Sequence, residues 1–177
     1  MKDKSQGLFI SIALILLAVS LRIIPHPANF APVSAIAIFG GAKLPRKLAL
    51  SVPLFAMVIS DLIIGLHNLV LVTWGCYMLI ALASHLWLKK VTIVRTTITA
   101  IAASLFFFIV TNFAVWLWSG MYAHTAQGFI RCFTLALPFF RNTLLSDVTY
   151  TLGLFGVYSF ASKHSLHLDN KVVTQKP

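Results

Sequence analysis

From residue 7 onward the chain is a series of apolar runs separated by short polar or proline-containing breaks. A helix needs about 20 apolar residues to cross the hydrocarbon core of a bilayer. Runs 7–24, 47–66, 69–88, 95–118 and 141–162 approach or reach that length and predict five spans. The first is closed by the helix-breaking "PHP" at 25–27. Residues 31–42 (APVSAIAIFGGA) are apolar but short, and read as a short or re-entrant helix that neighbouring helices must shield. The mixed segment 120–140 reads as an outer loop with an interfacial helix, and residues 163–177 as a polar tail. No internal repeat is visible. The expected fold is all-α: a single transmembrane domain, 1–177, of six transmembrane helices.

Composition agrees with this pattern. The chain is 59% hydrophobic and 10% charged, with a mean hydropathy of +0.89, whereas a soluble domain carries roughly a quarter charged residues. The formal net charge of +10 comes from 14 Lys and Arg against four Asp and no Glu. On a soluble protein such an excess suggests nucleic acid; here it reads as a topology signal and as contact with anionic lipid. With the N-terminus inside and six crossings, one side collects Lys2, Lys4, Lys43, Arg46, Lys47, Lys89, Lys90, Arg95, Lys163, Lys171 and Lys176. The other side holds only Arg22, Arg131 and Arg141. Positive-inside asymmetry therefore predicts cytoplasmic N- and C-termini. It also requires residues 31–42 to count as a crossing. "AVS" at 18–20 resembles a signal-peptide cleavage site, but no soluble domain follows, so the first run is read as a span.

This orientation collects the costly polar residues on one side. His26, Asn29 and Phe30 follow the first span, Asp61 lies about a turn inside the third, and His67 and Asn68 form the next outer turn. Trp74, Cys76 and Tyr77 lie about two turns into the fourth span, while Arg141, Asn142 and Asp147 open the sixth. Ionisable groups at membrane depth cost several kcal/mol and usually face a cavity or each other. One pocket open to the outside would account for Asp61 and Asp147 together. Each also has a plainer reading: Asp61 as structural glue with Arg141 or a backbone N–H, Asp147 likewise, and His26 as a solvated or capping residue. His85 and His124 read as interfacial. The H-x-x-H spacing in the tail's "HSLHLD" is weak evidence for a metal.

The two cysteines, Cys76 and Cys132, are too few for a disulfide framework and lack zinc-site spacing. By spacing alone both read as small hydrophobes. A thiolate at Cys76 would suit a soft or borderline transition metal. Gly75 beside it would admit a bulky ligand close to the helix backbone, and Trp74 and Tyr77 would offer flat walls.

Four stretches carry a family resemblance: "RIIPHPANFAPVSAIAIFGGA" (22–42), "VPLFAMVISDLIIGLH" (52–67), "TNFAVWL" (111–117) and "ALPFFRNTLLSDVTYTLGLFG" (136–156). Together they resemble six-span bacterial membrane proteins related to the substrate-binding S-components of energy-coupling-factor (ECF) vitamin importers. Within that neighbourhood, Cys76 resembles the fourth-span cysteine of solitary BtuM-type cobalamin (vitamin B12) transporters. The resemblance implies an S-component-like bundle that imports cobalamin, with Cys76 as axial ligand to the corrin cobalt and an aid to decyanation of cyanocobalamin. It further implies that His26, Asn29, Phe30, Asp61, His67, Trp74, Tyr77, Arg141, Asn142 and Asp147 line the pocket or hold its walls. Cobalamin is then bound substrate, with no separate protein metal. One departure stands out: the first span, with Ala13 and Ala18 five apart, lacks the A-x-x-x-A motif that contacts a shared energising module. The resemblance thus implies a solitary importer whose partners are cobalamin and lipid, with no nucleic acid. Competing readings are an importer of another vitamin or small solute with Cys76 incidental, an intramembrane enzyme using Asp61, Asp147 and His26, and a passive assembly protein. No H-E-x-x-H or nucleophile–base spacing supports the enzyme.

Overall fold

The computed structural model describes residues 2–174, and the side chains of residues 6–162. Six helices follow one another with no strand among the described residues: α1 (Lys2–Ile23), α2 (Val33–Lys43), α3 (Arg46–Ile64), α4 (Val70–Trp87), α5 (Ile93–Trp118) and α6 (Ala126–Thr174). The all-helical, six-helix expectation therefore holds. Four of them, α1, α3, α4 and α5, are long and apolar enough to cross a membrane. The chain reverses at one end of the bundle through 24–32, 65–69 and 119–125, and at the other through 44–45 and 88–92.

The short second helix is the centre of the bundle. Every residue from Val33 to Gly41 is buried, and α2 packs on each of the other five helices. A helix that is apolar all round has no face to give to water, so it sits inside. Its eleven residues rise only about 17 Å, which is roughly half the hydrocarbon thickness. The shielding expected for 31–42 is thus provided by five neighbours. Close approach to α4 comes from Gly41, where an added Cβ would lie 2.4 Å from the Ala81 carbonyl oxygen.

The outer helices are built inside out relative to a soluble protein. On α3 the small or polar Ala49, Ala56, Ser60 and Asp61 are buried, whereas Phe55, Ile59, Leu62 and Ile63 are exposed. Lipid tails are as apolar as Leu, so membrane helices pack through small residues and leave large ones facing outward. Hydroxyls within the spans turn back on their own helices: Ser60 donates to Ala56 O and Thr111 to Phe107 O.

The segment 120–140 departs from expectation. In place of an outer loop, an interfacial helix and a separate span at 141–162, α6 is one continuous helix of 49 residues. Only residues 119–125 form the turn before it. Pro138 sits inside this helix, where it removes one backbone hydrogen bond. Packing supplies the compensation: Trp116 meets Phe129 at 5.4 Å, and Phe108 meets Phe133 at 5.5 Å and Phe140 at 4.7 Å. These aromatic contacts along α5 hold the polar first turns helical. The segment read as a tail continues the helix to Thr174. The side chains of "HSLHLD", and those of Lys2, Lys4, Lys163, Lys171 and Lys176, lie outside the described residues.

Candidate functional site

At the end of the bundle formed by the 24–32 and 65–69 turns, a cavity of about 310 Å³ lies above the first turn of α2. It exists because α2 is short. The chain leaving α1 must descend into the bundle before α2 begins, so Ala31, Val33 and Ser34 line the cavity below the ends of α1, α3 and α4. A second space of about 370 Å³ shares Asn29, His67, Thr73, Phe107 and Thr143 with it and runs on between α5 and α6.

The descending turn is held by α6. Asn142 donates from Nδ2 to the Ala28 carbonyl at 2.9 Å, and the Ser146 hydroxyl donates to the Ala31 carbonyl at 2.9 Å. Phe30 packs on Tyr150 with ring centroids 5.8 Å apart. The Phe30 N–H bonds the Pro27 carbonyl at 3.0 Å, and the His26 Nδ1 lies 2.8 Å from the same oxygen. Asn29 takes a left-handed backbone, φ 61°, a conformation that Asn tolerates better than most side chains. The "PHPANFAP" and "RNTLLSD" stretches, more than 110 positions apart in sequence, are therefore two halves of one construction.

Along the wall between α1, α3 and α4 runs a charged network. Arg22 reaches Asp61 Oδ1 from its Nη2 at 2.6 Å and contacts the Met57 sulfur with its other terminal nitrogen. Trp74 donates from Nε1 to Asp61 Oδ2 at 2.7 Å. Asp61 is 1% exposed, so both its oxygens are engaged and its charge is neutralised. Arg22 and Met57, not Asp61, form the cavity wall.

Asp147 is the other buried acid, also 1% exposed. It lines the cavity and accepts from the Ser104 hydroxyl on α5 at 2.7 Å. Among the described residues the Arg22–Asp61 contact is the one ion pair, so Asp147 has hydrogen-bond support but no cation. Beside it, Tyr77 stacks on Phe107 with centroids 5.0 Å apart, and both rings line the cavity.

The expected site residues thus divide. His26, Asn29, His67, Tyr77 and Asp147 meet in the cavity. Asn142 and Phe30 hold its rim, and Asp61 with Trp74 stands behind its wall. Trp74 turns to Asp61 and is not a cavity wall. Arg141 is exposed and takes no part in neutralising Asp61; Arg22 does so. Cys76 is 2% exposed, a free thiol, and is not among the cavity-lining residues. Gly75 is likewise not among the cavity-lining residues, and no atom lies within 4 Å of an added Cβ there. Cys132 is buried, with its sulfur 3.5 Å from the Asn112 carbonyl, consistent with a structural role. No group of three or more metal-ligating side chains occurs among the described residues.

Sequence reasoning passed over Arg22, Ser104 and Phe107. Arg22 carried a usable signal: a lone cation at the end of an apolar span needs a partner or a cavity. Ser104 and Phe107 carried none, since nothing in the run "AASLFFFIV" marks one position as facing a cavity.

The chain belongs to DUF6580, a family of unknown function, whose model matches residues 2–170. No curated protein and no solved structure matches it.

Proposed function

We propose that this DUF6580 member is an S-component-like importer of a bacterial inner membrane, which takes a small polar solute into the cavity above α2 from the outer side and releases it inward. The observation that carries this reading is the cavity itself. It is a polar hollow in an otherwise apolar bundle, lined by a cation, a carboxylate, two histidines and an asparagine. Polar groups at this depth are expensive unless a function uses them. It lies at the bundle end where Arg22 ends α1, while Lys43, Arg46, Lys47, Lys89, Lys90 and Arg95 sit at or beside the 44–45 and 88–92 turns of the other end. The positive-inside rule then directs the cavity outward, with both termini cytoplasmic and with α2 and α6 completing six crossings.

Size and lining favour a solute smaller than cobalamin. Ligand sites occupy roughly 300–1,000 Å³, and the cavity of about 310 Å³ and the adjoining space of about 370 Å³ lie within that range. A corrin ring with its amide arms is larger than either space. Cobalt ligation by Cys76 would also require α4 to present a side chain that it now buries. The cobalamin reading therefore rests on the resemblance, and the cavity supports the other-solute member of the same class. An acid–base enzyme is less well supported, because Asp61 is locked between Arg22 and Trp74.

The deciding test is topological. In otherwise cysteine-free protein, a cysteine placed at His67 is expected to react with a membrane-impermeant maleimide in intact spheroplasts. Reaction only in inside-out vesicles would overturn the importer reading. Cobalamin is tested separately on protein purified from cells grown with it. We expect a colourless preparation; a corrinoid band lost in Cys76→Ala would reinstate the thiolate–cobalt reading.

A further inference from the structure

The cavity contains a charge imbalance that points to its ligand. Arg22 and Asp61 neutralise each other across a 2.6 Å contact, leaving Asp147 as the acid of the wall with no cation paired to it among the described residues. Its neighbours from each packed element supply partial relief only. Ser104 of α5 donates one hydrogen bond, and Ser34 of α2 stands beside it in the first turn. That turn has no side-chain cap, and a helix N-terminus carries about half a positive charge. From α4, Tyr77 contributes a ring and a hydroxyl but no cation. A carboxylate taken from water without a full counter-charge is costly, and here it faces a hollow of ligand size.

We propose that the imported solute carries a positively charged nitrogen, an amine or a cationic heteroaromatic ring, which docks against Asp147 and over the Tyr77–Phe107 pair. The cation completes the charge balance of the wall, and a stacked aromatic pair is a favourable surface for it, since the ring quadrupole attracts a cation placed over its face. His26, from the 24–32 turn, also lines the cavity; with its Nδ1 on the Pro27 carbonyl, its Nε2 is left to accept a hydrogen bond from such a group, whereas the Nδ1 of His67 is taken by the Leu69 N–H. The inference rests on the importer reading and gives it a substrate class.

The test uses the full-length protein in detergent and three probes of similar size: phenethylamine, 2-phenylethanol and phenylacetate. Binding is read by calorimetry and by the rise in unfolding temperature. The amine is expected to bind at least tenfold more tightly than the alcohol or the acid, and Asp147→Asn to abolish that difference. Equal binding of the three, preference for the acid, no binding of any, or an undiminished preference in Asp147→Asn would each overturn it. Should Asp147→Asn fail to fold, the ranking of the three probes on the natural protein decides alone. Binding of the neutral or acidic probe, with His67→Cys still labelled from outside, would refute the cation and leave the importer standing.

Discussion

Asp61→Leu is expected to lower the stability of the folded protein by about 3–5 kcal/mol, because it strands Arg22 against an apolar wall. Arg22 is 17% exposed at its side chain, so access to the cavity places the loss toward the lower end of that range. The same substitution leaves the Trp74 N–H without its 2.7 Å acceptor, and an unmet buried donor costs about 1–3 kcal/mol by itself. Removing both charges together changes the sign of the comparison. Arg22→Met with Asp61→Leu is expected to recover the part of the loss that comes from the stranded charge, since a buried pair replaced by apolar side chains is often neutral or stabilising, while the cost of the unmet Trp74 N–H remains. Thermal or SDS-titrated unfolding in detergent micelles measures both variants. A single substitution that costs less than about 1 kcal/mol, the level of an exposed surface pair, would show that the pair is a surface ornament and not the link between α1 and α3.

Gly41→Ala carries the second large effect. Its Cβ would stand 2.4 Å from the Ala81 oxygen, 2.8 Å from the Ser84 Cβ and 3.1 Å from the His85 nitrogen. Two of those three atoms are backbone, so no rotamer change relieves the clash and α2 must move away from α4. His85, whose Nδ1 lies 3.0 Å from the Gly41 carbonyl, loses that contact as the helices part. Overpacking of a close-packed interface costs about 1–3 kcal/mol and sometimes more. Since α2 touches every other helix, the displacement also tilts the cavity floor at Val33 and Ser34. Gly75→Ala is the control: nothing lies within 4 Å of its added Cβ, and Ala is the better helix former by about 1 kcal/mol. That variant is expected to unfold at the same or a slightly higher temperature. Equal behaviour of the two alanines would mean that α2 and α4 are not in backbone contact.

Helix number, order and approximate ends were legible because each depends on a local property. Run length set α3, α4 and α5 to within a few residues, and the proline breaks closed α1. The burial of α2 was also readable, from an apolar run too short to span. The boundary of α6 was not. Polar Gln127 and Arg131 with Pro138 look like loop chemistry, whereas in the fold that stretch is helical and packs on α5 through Phe129, Phe133 and Phe140.

That polar groups gather at one end of the bundle follows from span order, so His26, Asn29, His67, Tyr77 and Asp147 could be assigned to one region from the amino-acid order alone. Which of them touch, and which acid is paired, could not. For Asp61 the sequence offered Arg141 or a backbone N–H; its partner is Arg22, because α1 and α3 lie side by side while Arg141 is exposed on α6. Cys76 and Tyr77 are adjacent in sequence, yet one is buried off the cavity and the other lines it. Successive helical residues point about 100° apart, and the rotation of α4 against α2 and α5 is set by packing between helices that no local pattern encodes.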